Sequence, residues 1–218
     1  MSTWLAIPSK RPLSECGPTL DLWRAQGYKI ALFRDIGEDI PCDLLIAGKY
    51  PGYGAAINKL ARAVFELDQT AGWIVTGGDD TEPDPNKTSY QIAVECTTFF
   101  LGTFGVMQPI GDGHGIDSIC GSPWIGRDFC RRMYGGNGPY CEEYRHMFDD
   151  QELQHVALML GVLWQRKDLT HKHNHWTWTT GQCPDFLKDA NSRAHWDRVR
   201  DLFHRRHDQR FPGHEPIA

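Results

Sequence analysis

The sequence predicts an α/β protein with a mostly parallel central sheet flanked by helices. Short apolar or β-branched runs alternate with helical segments through the first hundred residues, the pattern of strands joined by crossover helices. Several of these runs end in glycine, proline or charged residues, as strands do where open α/β sheets hold ligands. At 218 residues, 40% apolar and 23% charged, the chain is long enough to bury one good core.

Composition narrows the classes of function. A net charge of −5 gives no global attraction to nucleic acid, so any such contact needs a local basic patch. No apolar run is long enough for a transmembrane helix, and no membrane partner is expected. The start, Met1 to Ile7, lacks the basic and apolar regions of a signal peptide. Seven scattered cysteines without a C-x-x-C pair point to reduced thiols and a cytoplasmic location.

The first strand is expected over residues 4–7, ending in the basic loop Pro8-Ser9-Lys10-Arg11-Pro12. Leu20, Leu22 and Trp23 predict a short helix that stops near Gly27. Strands follow over residues 29–33, ending at Arg34-Asp35, and over residues 44–47. Gly48 to Gly54 reads as a glycine-rich loop. Ala56, Leu60, Ala63, Val64 and Leu67 then share one face of a helix. A helix entered this way either holds an anion on backbone N–H groups or is simply capped.

The fourth strand, residues 73–76, is the richest stretch. Gly77 and Gly78 let the backbone turn, Asp79 and Asp80 follow, and Pro83 and Pro85 stop the strand. Carboxylates delivered to a strand end suit Mg²⁺ or Mn²⁺, whose usual business is neutralising phosphates; otherwise they form an acidic surface turn. Residues 88–101 predict a helix and residues 106–109 a strand. Residues 110–126, with Asp112, His114, Asp117 and Trp124, read as an irregular loop covering a site. A helix is expected over residues 127–134. Asp149 or Asp150 is expected to cap the next helix, which carries Leu153, Val156, Ala157 and Leu160. Val162 begins a further strand leading to His171, His173 and His175. In an extended chain that alternation points three imidazoles to one side, a metal-ligand pattern. Residues 191–210 form a basic helix, read either as a solvated helix or as a phosphate-contacting arm.

In this order the features resemble the glycosyltransferases of GT-A fold, close to the family 2 group of inverting enzymes, over residues 4–176. Ile7 to Pro12 resembles the loop that meets the donor nucleotide, and Asp35 the acidic residue that contacts the base. Tyr53 to Asn58 resembles the helix start before the metal motif. Gly78 to Pro85 resembles the D-x-D motif with its following prolines, Gly78 standing in place of the first aspartate. The resemblance implies a single GT-A domain over residues 1–190, a Rossmann-like nucleotide-sugar half plus an acceptor half, followed by a basic helix and tail over residues 191–218.

It also implies site residues. A nucleotide sugar, most simply a UDP-sugar, would lie across Pro8, Ser9, Arg11, Asp35, Lys49, Tyr53, Gly54, Asn58 and Asp79. Mn²⁺ or Mg²⁺ would sit on Asp80 with His171 or His173. Asp150, then Asp149, would be the catalytic base, with Asp112 and Trp124 contacting the acceptor. Three further stretches, 121–127, 146–150 and 168–176, resemble bacteriophage-encoded members, which implies action in the host cytoplasm and 5-hydroxymethylpyrimidine in DNA as an acceptor; a small glycan is the other acceptor class. Outside glycosyl transfer stand a metal-dependent phosphoesterase or nuclease on Asp79, Asp80, His171 and His173, and a non-catalytic nucleotide-sugar binding domain.

Overall fold

The central strands read as unbroken apolar runs because helices cover both of their faces. β1 (Ser2–Pro8), β2 (Lys29–Arg34) and β4 (Ala71–Val75) are almost wholly buried. Within them side chains alternate between two cores: Trp4, Ala6, Ala31, Phe33 and Ile74 enter one, while Leu5, Ile7, Ile30, Leu32, Trp73 and Val75 enter the other. The computed structural model describes residues 1–35, 37, 39–111 and 117–218.

The first core is closed by α2 (Tyr53–Leu67), α4 (Arg127–Arg132), α5 (Asp149–Met159) and α6 (Arg193–Asp208). On α2, Ile57, Leu60, Val64 and Phe65 form the buried stripe. Each such side chain contributes about 1.5–3 kcal/mol by leaving water. The second core is closed by α1 (Leu13–Ala25) and α3 (Ser89–Phe100). A capping box starts α3: the Thr88 side chain accepts from the Gln91 N–H, and the Gln91 side chain accepts from the Thr88 N–H.

Seven strands form the main sheet in the order β3-β2-β1-β4-β7-β6-β8, adding β3 (Leu44–Ala47), β6 (Val106–Ile110), β7 (Trp124–Gly126) and β8 (Leu163–Thr170). β3, β2, β1 and β4 are parallel, as are β6 and β8; β7 runs antiparallel to both its neighbours. The α/β class and mostly parallel sheet are therefore as predicted. A separate two-stranded ladder pairs β5 (Thr81–Glu82) with β9 (Lys172–His173). No helix among the described residues is long and apolar enough to cross a membrane.

Two elements depart from expectation. β7 lies inside the stretch expected to be irregular, with Ile125 opposite Ile74 and Trp124 opposite Val75. Three residues are too few for a periodic signal, and the pairing comes from the sheet around them. α1 begins at Leu13, well before the expected short helix, and continues through Gly17 and Pro18. Burial of Cys16, Leu20 and Trp23 outweighs the poor helix propensity of those two residues.

Candidate active site

β1 is flanked by β2 on one side and β4 on the other, so the chain order reverses between β1 and β4. Crevices at the C-terminal ends of such strands are where open α/β sheets bind ligands. Here the loop after β1 meets the loop after β4. The Ser9 hydroxyl donates to Asp79 Oδ2 at 2.6 Å. Arg11 donates through Nη1 to Asp79 Oδ1 at 2.7 Å and through Nη2 to Asp80 Oδ2 at 2.8 Å. Arg34, ending β2, is buried and donates through Nη1 to Ser9 Oγ and the Arg11 carbonyl at 3.3 and 3.1 Å. An arginine closing an otherwise apolar run was the signal for this residue, which the sequence motifs do not single out.

The β5–β9 ladder brings in the histidine. Thr81 pairs with His173, which sets His173 Nε2 3.2 Å from Asp80 Oδ1. The Asn174 N–H donates to the Asp80 carbonyl at 2.8 Å and pins the same contact. Of the two histidines left open by the sequence, His173 is the one beside the carboxylate. His171 points into the second core: its ring lies 5.2 Å from Trp23, and Nδ1 is 3.0 Å from the Ser122 hydroxyl. Burial holds its pKa down to about 4. The alternation fails at His171 because the chain passes there from β8 to the separate β9 ladder.

Burial pushes both aspartates upward, but the outcomes differ. At Asp80 the His173 and Arg11 contacts win and hold the pKa near 2; at Asp79 burial outweighs Arg11 and Ser9, and the pKa is raised. Asp79 has both oxygens engaged by Ser9 and Arg11, so it ties the two loops together. Gly78 explains the altered motif: a Cβ at this position would stand 2.3 Å from Asp80 Oδ1, the oxygen that faces His173. Asp84 accepts from the Asn86 and Thr170 N–H groups and anchors the end of the motif to β8.

Asp80 and His173 fit a divalent ion. Two ligands at about 2.1 Å and at right angles on one octahedral ion stand about 3 Å apart, close to the separation here. Among the described residues no third His, Cys, Asp or Glu joins them. Ions such as Mg²⁺ commonly take their remaining ligands from substrate phosphates and water.

The other donor-contacting candidates divide. Pro8 ends β1, Asp35 follows β2 with Lys10 Nζ 3.9 Å away, and Lys49 is exposed after β3, all at the same end of the sheet. The start of α2 faces two ways: the Tyr53 hydroxyl donates to the Gly77 carbonyl at 3.5 Å, in the turn that leads into Asp79 and Asp80. Its Tyr53 N–H donates to the Arg145 carbonyl, and the Asn58 amide is fully engaged with the backbone of Tyr140 and with Glu142. Gly54 lies against Tyr140 and Cys141, where a Cβ would be 2.9 Å from the Tyr140 Cβ. This helix start, expected either to hold an anion or simply to be capped, also buttresses the segment before α5.

That segment ends at Met147 and Phe148, both in left-handed backbone conformation with φ of 66° and 67°. Consecutive non-glycine residues there store strain, a frequent mark of functional sites. Neither aspartate is the cap of α5: Phe148 occupies that position, and the carboxylates of Asp149 and Asp150 each accept from the N–H of the next residue. Asp149 is buried with Oδ2 unbonded, and burial, then the Asp150 charge, raise its pKa to about 8. Asp150 is half-buried at the surface.

No protein-family model and no curated protein matches the chain. Among solved structures it is similar to a Drosophila β1,4-galactosyltransferase 7 mutant in complex with manganese, UDP-Gal and xylobiose. The TM-score is 0.52 at 12% identity, over 88% of this chain and 81% of that one. The fold is GT-A. Two chains this divergent share a backbone path rather than a set of side chains, so the chemistry rests on the site itself.

Within the GT-A frame, the acceptor contacts expected from the sequence need correction. Trp124 is fully buried in β7, its ring edge-on to Tyr28 at 5.6 Å, and cannot stack on an acceptor. Asp112 lies outside the described residues.

Proposed function

We propose that the chain is a metal-dependent glycosyltransferase that moves a sugar from a nucleotide sugar, most simply a UDP-sugar, to a hydroxyl acceptor. The observation that carries this reading is the Asp80–His173 pair at the sheet's switch point, with Arg11 and Ser9 holding the loops around it. The neighbour of the same fold was captured with manganese and UDP-Gal, which supports the choice of donor class.

Mn²⁺ or Mg²⁺ on Asp80 and His173 would supply positive charge to the diphosphate leaving group. Lys10, Lys49 and Arg34 stand at the same strand ends and favour an anionic ligand there. Asp150 is the general base. Burial, then the Asp150 charge, raise the Asp149 pKa, which favours its neutral form and relieves like-charge repulsion within the pair. The acceptor oxygen bonds to the anomeric carbon as the bond to the diphosphate breaks. Its proton passes to Asp150, and the nucleoside diphosphate leaves with the electron pair. In-line attack of this kind inverts the anomeric centre.

DNA carrying hydroxymethylpyrimidines is the less favoured acceptor, and action on phage DNA goes with it. Phosphate contacts need available cations. On α6, Arg193 and Arg200 pair with Asp197 and Asp201, Arg198 bonds His195 and Arg206 is buried, which leaves the exposed Arg205 and Arg210 at its C-terminal end for such contacts. The reading is tested by incubating the protein with a panel of UDP-sugars and Mn²⁺ and measuring UDP release with and without acceptors. Release that requires the metal supports it; no release from any donor leaves a binding domain or a phosphoesterase, and hydrolysis of simple phosphodiesters separates those two.

A further inference from the structure

Helix α3 is apolar on two sides. Its inner side, with Ile92, Ala93 and Cys96, is buried in the second core. On the outer side Tyr90, Val94, Thr98 and Leu101 follow one another at helical spacing, and all four are exposed. Leu101 is 94% exposed, Tyr90 61% and Val94 43%. Leu101 also holds a left-handed φ of 54° at the helix end, where glycine is the usual residue. Phe99, 52% exposed, adjoins this row and stacks flat on Trp164 of β8 with ring centroids 4.2 Å apart. The α3 sequence carries one charged residue, Glu95, and Lys87 and Arg166 both pair with it. The helix crosses the N-terminal end of the sheet. The Ser89 hydroxyl donates to the Gly27 carbonyl just before β2, Thr97 Oγ1 accepts from Trp73 Nε1 of β4, and Trp164 stands near the start of β8. Asp80 and His173 follow the C-terminal ends of β4 and β8, so the row lies away from the candidate active site.

We propose that two copies of the chain meet on this face in a two-fold dimer. A helix that is apolar on both sides is normally covered on both. The row, with Phe99 and the edge of Trp164, offers on the order of 500 Å² of mostly apolar surface, a size that marks interaction sites on soluble proteins. Since about 65% of a homodimer interface is apolar, the patch corresponds to about 750 Å² per partner, near the roughly 800 Å² that a stable complex buries on each side. The row is also complementary to itself. Two antiparallel copies of α3 set Val94 opposite Thr98 of the second copy, and Tyr90 opposite its Leu101. Small side chains at the centre let the helix axes approach, and the large ones close the ends. Charge favours a second copy over an anionic bilayer, because the cations bordering the row, Lys87 and Arg166, are spent on Glu95. An uncharged row meets its own copy without repulsion, although the chain carries a net charge of −5. The dimer is independent of the glycosyltransferase reading and leaves Asp80 and His173 open.

The test is sedimentation velocity with light scattering on the full chain, without UDP or metal, over about 1–100 µM, where a dimer of micromolar affinity assembles. Wild type is expected at twice the 24.8 kDa of one chain. Val94→Glu and Thr98→Arg each bring like charges together at the axis and should raise the dimer dissociation constant about tenfold or more. Leu101→Gly suits the left-handed backbone, so it should weaken the dimer while keeping native circular dichroism. Mixed together, the Val94→Glu and Thr98→Arg proteins should pair, since the introduced carboxylate then faces the introduced guanidinium. Wild type that stays monomeric throughout the range overturns the assignment. So does a dimer that all three variants leave intact, or a mixture that does not pair. Monomer that co-sediments with phosphatidylserine vesicles also overturns it and gives the face to a bilayer. No arm of the test reads turnover, so a protein that releases no UDP would lose the glycosyltransferase reading and keep the dimer.

Discussion

Arg11 bridges the two carboxylates of the motif, giving one guanidinium nitrogen to Asp79 and the other to Asp80. A fixed cation thus already neutralises part of the charge that would attract a divalent ion. The Asp80 oxygen that faces His173 is not the one Arg11 holds. Metal and guanidinium can therefore share one carboxylate, each weakening the other's hold. Arg11→Gln should tighten Mn²⁺ binding in the absence of nucleotide by about tenfold, or ~1.4 kcal/mol. The same variant should weaken UDP binding in the presence of Mn²⁺. Calorimetry with Mn²⁺ alone, UDP alone and both together reads the two effects; unchanged bare-metal affinity would show that Arg11 does not compete.

Asp149 makes stability depend on pH. Its carboxyl ionises near 3.8 in an unfolded chain but near 8 in the buried site. Between those values the folded state holds a proton that the unfolded state has lost. Stability is therefore full below about pH 4 and falls as pH rises toward 8. Asp149→Asn removes the ionisation and should flatten this slope, leaving the variant less pH-sensitive than wild type in urea unfolding at pH 5 and pH 8. Parallel slopes for the two proteins would mean that Asp149 is not the protonated group.

Asp150→Asn should lower kcat by about 10²-fold or more while UDP affinity stays near that of wild type. A near-normal kcat would hand the base role to Asp149 or to another group. The pH profile then discriminates, since a base ionising near 8 gives a rate that is still rising there.

Glu152 and Arg206 join α5 to α6 through two parallel hydrogen bonds of 2.8 Å, and Tyr134 and Tyr144 donate to the same carboxylate. Both charged groups are buried. Removing one leaves the other unpaired, at about 3–5 kcal/mol. Arg206→Met should therefore lower the Tm by on the order of 10 °C. A shift of only one or two degrees would show that the pair is dispensable.

The sheet was legible where strands are long and buried, as in β1, β2 and β4, whose apolar runs need no partner to be recognised. β7 was not, since its three residues become a strand only between β4 and β6. Asp80 was readable from its place after a strand and two glycines. The choice of His173 over His171 was hidden, because it depends on a ladder between β5 and β9 that joins residues far apart in sequence. Tyr53 to Asn58 looked like an anion cradle because a glycine-rich helix start suits one. Its groups meet Gly77 through the Tyr53 hydroxyl and also Arg145, Tyr140 and Glu142, which only the tertiary fold brings there.

Metal-dependent cleavage of a nucleotide sugar is the centre of the account, and turnover of Asp80→Ala tests it most directly. UDP release by wild type with Mn²⁺ is expected to stop in excess chelator and to return when the metal is restored. Asp80→Ala and His173→Ala should lose that release while keeping native circular dichroism, whereas a His171 variant should lose stability instead. Full UDP release by Asp80→Ala, or by wild type in excess chelator, would contradict the account.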